Sequence, residues 1–152
     1  MGNHSRSRLS RWVVVFSALL LAACSTLPVG EYSLEAYKNA TTLKAETLAM
    51  VAKSTDSYSR HAEEVEVLNV KIAAAYEFAA GTPNNQISAE QWRLLRDPDG
   101  DLYGLFLNYW RQRGHLAPAQ SEQLGAQISE AYDYIICLEA NKQAQTSCRQ
   151  PV

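Results

Sequence analysis

Between Tyr32 and Ala80 the chain has neither a glycine nor a proline, so nothing in that stretch dictates a turn or breaks a helix. No segment alternates apolar and polar residues for long enough to read as a strand. Catalytic signatures are missing as well. There is no G-x-S-x-G elbow, no H-E-x-x-H, no glycine-rich phosphate loop and no C-x-x-C, which excludes the hydrolases, zinc peptidases, nucleotide enzymes and dithiol oxidoreductases that depend on them. Histidine is scarce: three in 152 residues, of which only His61 and His115 lie beyond the first 23. Positive charge is also in short supply, with 14 Lys and Arg against 16 Asp and Glu. Such a chain does not offer the basic face that nucleic acid requires. The longest apolar run, residues 12–23, is shorter than the roughly 20 residues a helix needs to span a bilayer.

The first 23 residues have the three parts of an export signal. Residues 1–11 carry Arg6, Arg8 and Arg11 and no acid, residues 12–23 read WVVVFSALLLAA, and small residues precede Cys24. Two other targeting readings fail. Met1-Gly2 suggests N-myristoylation, but Arg6 stands where that motif wants Ser or Thr, and the three arginines are not adjacent, as a twin-arginine signal requires.

Leu21-Ala22-Ala23-Cys24 resembles the lipobox of bacterial lipoproteins. The resemblance covers residues 1–24 and no family resemblance extends into the rest of the chain. It implies cleavage before Cys24, a diacylglyceryl group on the Cys24 thiol and an acyl chain such as palmitate on its amine. Ser25, in place of an aspartate, resembles the outer-membrane routing of enteric lipoproteins, with the protein facing the periplasm. Each buried methylene contributes about 0.8 kcal/mol, and one chain holds only marginally, so several chains are needed for firm attachment.

Without this leader 129 of the 152 residues remain, one domain's worth. Loss of the three leader arginines moves the formal charge from −2 to −5. An acidic surface does not bind an anionic membrane, so the lipid must do the holding. The expected organisation is a signal peptide at 1–23, a lipidated tether at 24–31, a helical domain at 32–142 and a polar tail at 143–152. Cys137 and Cys148 remain for disulfide chemistry in an oxidising compartment. On a continuous helix they would stand about 16 Å apart, too far for a bridge that needs Cα atoms within about 7 Å. A bridge therefore requires the chain to leave the helix and fold back; a buried free Cys137 with a loose Cys148, or a bridge between chains, are the alternatives.

Helical periodicity fills the domain. Ala36, Ala40, Leu43, Thr47 and Met50 recur at steps of three and four, as do Val65, Leu68, Ile72, Ala75 and Ala79. Ser54, Ser57 and His61 lie on the same face between them. Either one long helix passes a polar middle or two helices meet near residues 54–57, and the polar middle favours a break. Gly81 suits the position after the last turn, with Pro83 beyond. Ser88 and Gln91 have the spacing of a capping box, with Ile87 and Trp92 as its apolar staple. Asp97-Pro98-Asp99-Gly100 has the residues of a type I turn, and Asp101 is placed to cap a helix running from Leu102 to about Arg113 and stopping at Gly114. Pro118 opens the last helix, whose stripe is Leu124, Ile128, Ala131, Ile135 and Leu138. The fold class is all-α, a helical bundle with long N-terminal and C-terminal helices and two short helices between them that close one end.

Candidate sites are few. Asp97, Asp99 and Asp101 match the first ligand spacing of a calcium loop, but Leu102 and Asn108 stand where its Gly and Glu belong. His61 and Glu64 share a helix face without further ligands, so no metal, no cofactor other than lipid on Cys24 and no catalytic residue is expected. The segment Trp92–Trp110 interleaves aromatic and basic residues. Leu102, Leu105, Phe106 and Tyr109 fit one core-facing stripe, while Trp92, Arg93, Arg96, Trp110, Arg111 and Arg113 have the composition of a partner-binding surface. The expected function is that of a non-catalytic binding or scaffold lipoprotein of the cell envelope, with a protein partner. The alternatives are a small envelope enzyme or its regulatory subunit, and a homo-oligomeric structural lipoprotein whose seams at 36–79 and 124–138 pair between chains.

Overall fold

The structure, a computed structural model, describes residues 30–142 and Cys148; the leader, Cys24, the tether up to residue 29 and the rest of the tail lie outside the described residues. Five α-helices and no strand are present among the described residues: α1 (Leu34–Lys53), α2 (Tyr58–Gly81), α3 (Gln86–Arg96), α4 (Tyr103–Arg113) and α5 (Pro118–Asn141).

The break near residue 54 is real, and it marks one end of the bundle. α1 and α2 are antiparallel: Lys71 reaches Glu46 (2.8 Å) and Lys53 pairs with Glu64. α5 returns along α1, where Lys44 meets Asp133 (2.5 Å) and Thr47 meets Tyr132 (2.8 Å). The short helices do not close one end, as sequence reasoning had them. They run one after the other as a single broken leg beside α2. Asn85 bonds to the Ala79 carbonyl, Arg96 lies over Tyr76, Tyr103 reaches Asn69, and Trp110 reaches Asp56. The result is an up-down-up-down bundle of four legs.

The leg stays continuous because the Asp97–Gly100 turn is tight. Gly100 N–H donates to the Asp97 carbonyl (3.0 Å), and Asp99 N–H donates to the Asp97 carboxylate (3.0 Å). α4 then presses its first turn against the α3 end. A Cβ at Gly104 would stand 1.8 Å from the Asp97 carbonyl oxygen, so only glycine fits.

Several local expectations give way to packing. α3 begins at Gln86 behind Asn85, a turn earlier than the Ser88 capping box predicts, and Ser88 is buried inside the helix. The side chain of Asn85 is drawn away to the Ala79 carbonyl, tying the α2–α3 connection shut. Asp101 caps nothing: Leu102 occupies the N-cap of α4 with no side-chain bond. Gly81 is the last residue of α2, and the left-handed backbone falls on Asn84 (φ 58°). At the end of α4, Gly114 does take positive φ (78°).

The predicted seams of α1, α2 and α5 face one another. Ala40, Leu43, Met50, Val65, Leu68, Ile72, Ala75, Leu124, Ile128 and Ile135 form one core, each large aliphatic side chain contributing about 1.5–3 kcal/mol. These seams are packed against one another within the chain. Beyond α5, Cys137 and Cys148 are bridged with Cα atoms 5.9 Å apart, so the chain does fold back.

Gly104→Ala is expected to lower stability by about 3 kcal/mol, because backbone must move to admit the methyl group. Gly125→Ala, whose nearest neighbour is the Val51 side chain, should cost under about 1 kcal/mol. Denaturant midpoints of the two variants check this order.

Candidate functional site

Two features of the bundle carry polar side chains in unusual numbers: the loop end at residues 54–57, and the flank between α2 and the α3–α4 leg.

At the loop end, residues 54–57 are bound to the α4–α5 connection by backbone. Leu116 N–H donates to the Ser54 carbonyl (2.8 Å), and Tyr58 N–H donates to the Gly114 carbonyl (2.7 Å). Buried Ser54 donates to the Ser121 hydroxyl (2.9 Å), which donates to the Val51 carbonyl (2.8 Å). The Trp110 indole closes over this end. Its N–H donates to the Asp56 carbonyl (2.9 Å), and its ring meets Tyr58 edge-on and the His61 imidazole at 5.8 Å. His61 lies between the carboxylates of Asp56 and Glu64, 3.3 Å from each. The Ser57 backbone N–H holds the Asp56 carboxyl below its ordinary value; desolvation opposes it, and Arg60 and His61 add to the lowering. Lys53 and His61 do the same for Glu64. Among the described residues no group of three or more His, Cys, Asp or Glu is placed to hold a metal ion. His61 and Glu64 belong to the hydrogen-bonded side chains of this loop end. The polar interruption between the two apolar seams is this loop end.

On the flank, the two tryptophans predicted as surface anchors are core residues. Trp92 is 2 % and Trp110 0 % exposed. Trp92 meets the Tyr132 ring edge-on at 5.8 Å, and Trp110 stacks at 5.6 Å on Phe106. The buried face of α4 is Tyr103, Phe106, Leu107 and Trp110, one step round from the predicted stripe; Leu102, Leu105 and Tyr109 pack half-buried against it.

The four arginines separate into distinct environments. Arg93 is held by both oxygens of Glu90 (2.8 Å each) and by Asp97 (3.1 Å), which raises its pKa further and lowers that of Glu90. Arg113 stacks over Tyr109 on its own helix and bonds to Gln120 (2.9 Å). Arg96 lies 4.7 Å from the centroid of Tyr76, and Arg111 lies 5.6 Å from that of Tyr58. Among the described residues, Arg96 and Arg111, like Lys38 and Arg113, have no carboxylate within 4.0 Å, whereas Lys44, Lys53, Arg60, Lys71, Arg93 and Lys142 do.

Arg96 and Arg111 line one open groove of about 370 Å³ between α2 and the broken leg. Its apolar walls are Val70, Ala73, Pro98 and Leu107; its polar ones are Glu66, Asn69, Tyr103 and Asn108. Tyr103 donates to Asn69 Oδ1 (2.9 Å), and burial holds its phenol far above the ordinary value, so it stays a neutral donor. Tyr58, Tyr76, Asn69 and Asn108 were not singled out from sequence. Tyr58, Tyr76 and Asn69 take their roles from partners far along the chain, and Asn108 from the turn before its own helix. Comparison with family models, curated proteins and solved structures finds no match to this chain.

The lowered Asp56 pKa has a definite sign. Its stabilisation is complete above the unfolded carboxyl value of about 4 and is lost as pH falls through the folded value. Asp56→Asn should therefore melt below the parent at pH 7, and the gap should narrow below about pH 4 and close under the folded pKa. Thermal melts of both proteins from pH 7 to 2 check this.

Proposed function

We propose that this chain is a lipoprotein of the bacterial cell envelope, held by acyl chains on Cys24 in the outer membrane with its helical domain in the periplasm. The domain acts as a non-catalytic binding module for an envelope protein partner. The observation that carries the reading is the lipobox-like Leu21-Ala22-Ala23-Cys24 after a basic segment and a short apolar run. It is in keeping with this that no described helix is long and apolar enough to cross a membrane, so attachment falls to the N-terminus.

Two features of the domain support binding as its task. Arg96 and Arg111 are oriented by tyrosine faces and left without carboxylates in an acidic chain. The groove they share has walls of mixed character, as recognition surfaces do. Self-association is a second reading. Its support is an exposed apolar row on the outer face of α2, Val67 (53 % exposed), Val70 (61 %) and Phe78 (39 %).

Cys24→Ala is the test of the anchor. The variant should lose all incorporation of labelled palmitate and leave the membrane fraction, and labelling equal to that of the parent would overturn the lipoprotein reading.

A further inference from the structure

We propose that the groove between α2 and the α3–α4 leg takes an extended acidic peptide segment of the partner, with one carboxylate on Arg96 and another on Arg111. This rests on the binding-module reading and gives it a site and a ligand chemistry.

The two guanidinium groups are prepared for carboxylates. Each guanidinium lies over a tyrosine ring, 4.7 Å from the Tyr76 centroid for Arg96 and 5.6 Å from the Tyr58 centroid for Arg111. Arg111 spends only Nε, on the Tyr58 hydroxyl (3.4 Å), and Arg96 makes no hydrogen bond among the described residues. Planar N–H edges of this kind match the two oxygens of a carboxylate.

The spacing selects the ligand's length. Tyr58 and Tyr76 are 18 positions apart on α2, or about 27 Å along the helix at roughly 1.5 Å per residue, an upper limit because both arginines lean into one groove. An extended peptide rises about 3.3 Å per residue, so six to eight residues cover the distance.

The middle of the groove suits peptide backbone. Asn69 accepts the Tyr103 hydroxyl through Oδ1, which leaves its Nδ2 to donate. Asn108 donates Nδ2 to the Pro98 carbonyl (2.6 Å), which leaves its Oδ1 to accept. One free donor and one free acceptor are what an extended strand needs from a side wall, and Val70, Ala73 and Leu107 give its apolar side chains a surface. Glu66 lines the same groove and has no ion-pair partner among the described residues. It sets the polarity of the ligand: acidic toward the two ends and uncharged or basic at the centre.

The test uses the full lipidated chain in detergent micelles and fluorescein-labelled ten-residue peptides, one with glutamates near both ends and valine, serine and leucine between, the other with glutamines in their place. The glutamate peptide should bind, and its glutamine counterpart should bind roughly a hundredfold more weakly. Arg96→Gln and Arg111→Gln should each weaken binding roughly tenfold and Glu66→Gln should tighten it, while Arg113→Gln, outside the groove, should leave it unchanged. Thermal melts confirm that each variant is folded. Equal binding of the two peptides, no binding of either, or an Arg113 effect equal to that of Arg96 would overturn the proposal. So would arginine-dependent binding to phosphatidylglycerol vesicles in place of the peptide, which assigns the groove to lipid phosphate. Photocrosslinking in intact cells separates this from the broader reading. A discrete protein adduct from Asn108 supports the groove. An adduct from Glu130 alone rejects the groove and keeps the binding module, and none from any exposed face rejects both.

Discussion

Two backbone hydrogen bonds, Leu116 to Ser54 and Tyr58 to Gly114, fix the register of the whole bundle. Each joins the loop of the first hairpin to the connection between the last two helices. Sequence neighbours alone would give two helical hairpins free to slide, because apolar seams of alanine, leucine and isoleucine pack nearly as well one turn up or down. The loop-to-loop bonds remove that freedom. They also place the Asp56 carbonyl where the Trp110 indole can reach it, and so seat α4. With α4 seated, Tyr103 meets Asn69 and the groove acquires its walls.

The same arrangement explains a division among the charges. Lys44, Lys53, Arg60 and Lys71 meet carboxylates on the neighbouring leg or turn, in solvent-screened ion pairs that add little to stability. Three arginines of the broken leg instead lie on aromatic rings. Two of those rings, Tyr58 and Tyr76, belong to the facing α2, and the nearby acids Glu90 and Asp97 are already engaged by Arg93. Positive charge in an acidic chain is thereby concentrated along one flank.

Much of the helical framework was legible in the residues. The seams of α1, α2 and α5 follow from steps of three and four, and the absence of glycine and proline before Ala80 leaves nothing but helix and one polar interruption. The Asp97–Gly100 turn and the Gly114 stop were also readable, since their residue types have few other uses. Local signals misled where a distant partner outbid them. Asn85 turns to Ala79, so α3 starts ahead of its apparent capping box; Trp92 and Trp110 enter the core because Tyr132 and the first loop offer them partners. The pairing of Arg96 with Tyr76 and of Arg111 with Tyr58 depends on a leg direction that no local pattern encodes. The reading of Cys24 as a lipid anchor rests on sequence alone, since Cys24 lies outside the described residues.

An even number of legs returns the chain to the pole from which it set out. Gly30 lies against Pro83 and Asn85, and α5 ends beside the start of α1, so both ends of the domain and the Cys137–Cys148 bridge share that pole. The Ser54–Leu116 junction is the opposite pole, about 36 Å away along a helix of 24 residues. On the proposed anchoring, the bilayer lies at the disulfide pole and the bundle stands out from it as a post. The arginine flank then faces sideways, parallel to the membrane plane, where a neighbour rooted in the same leaflet meets it broadside.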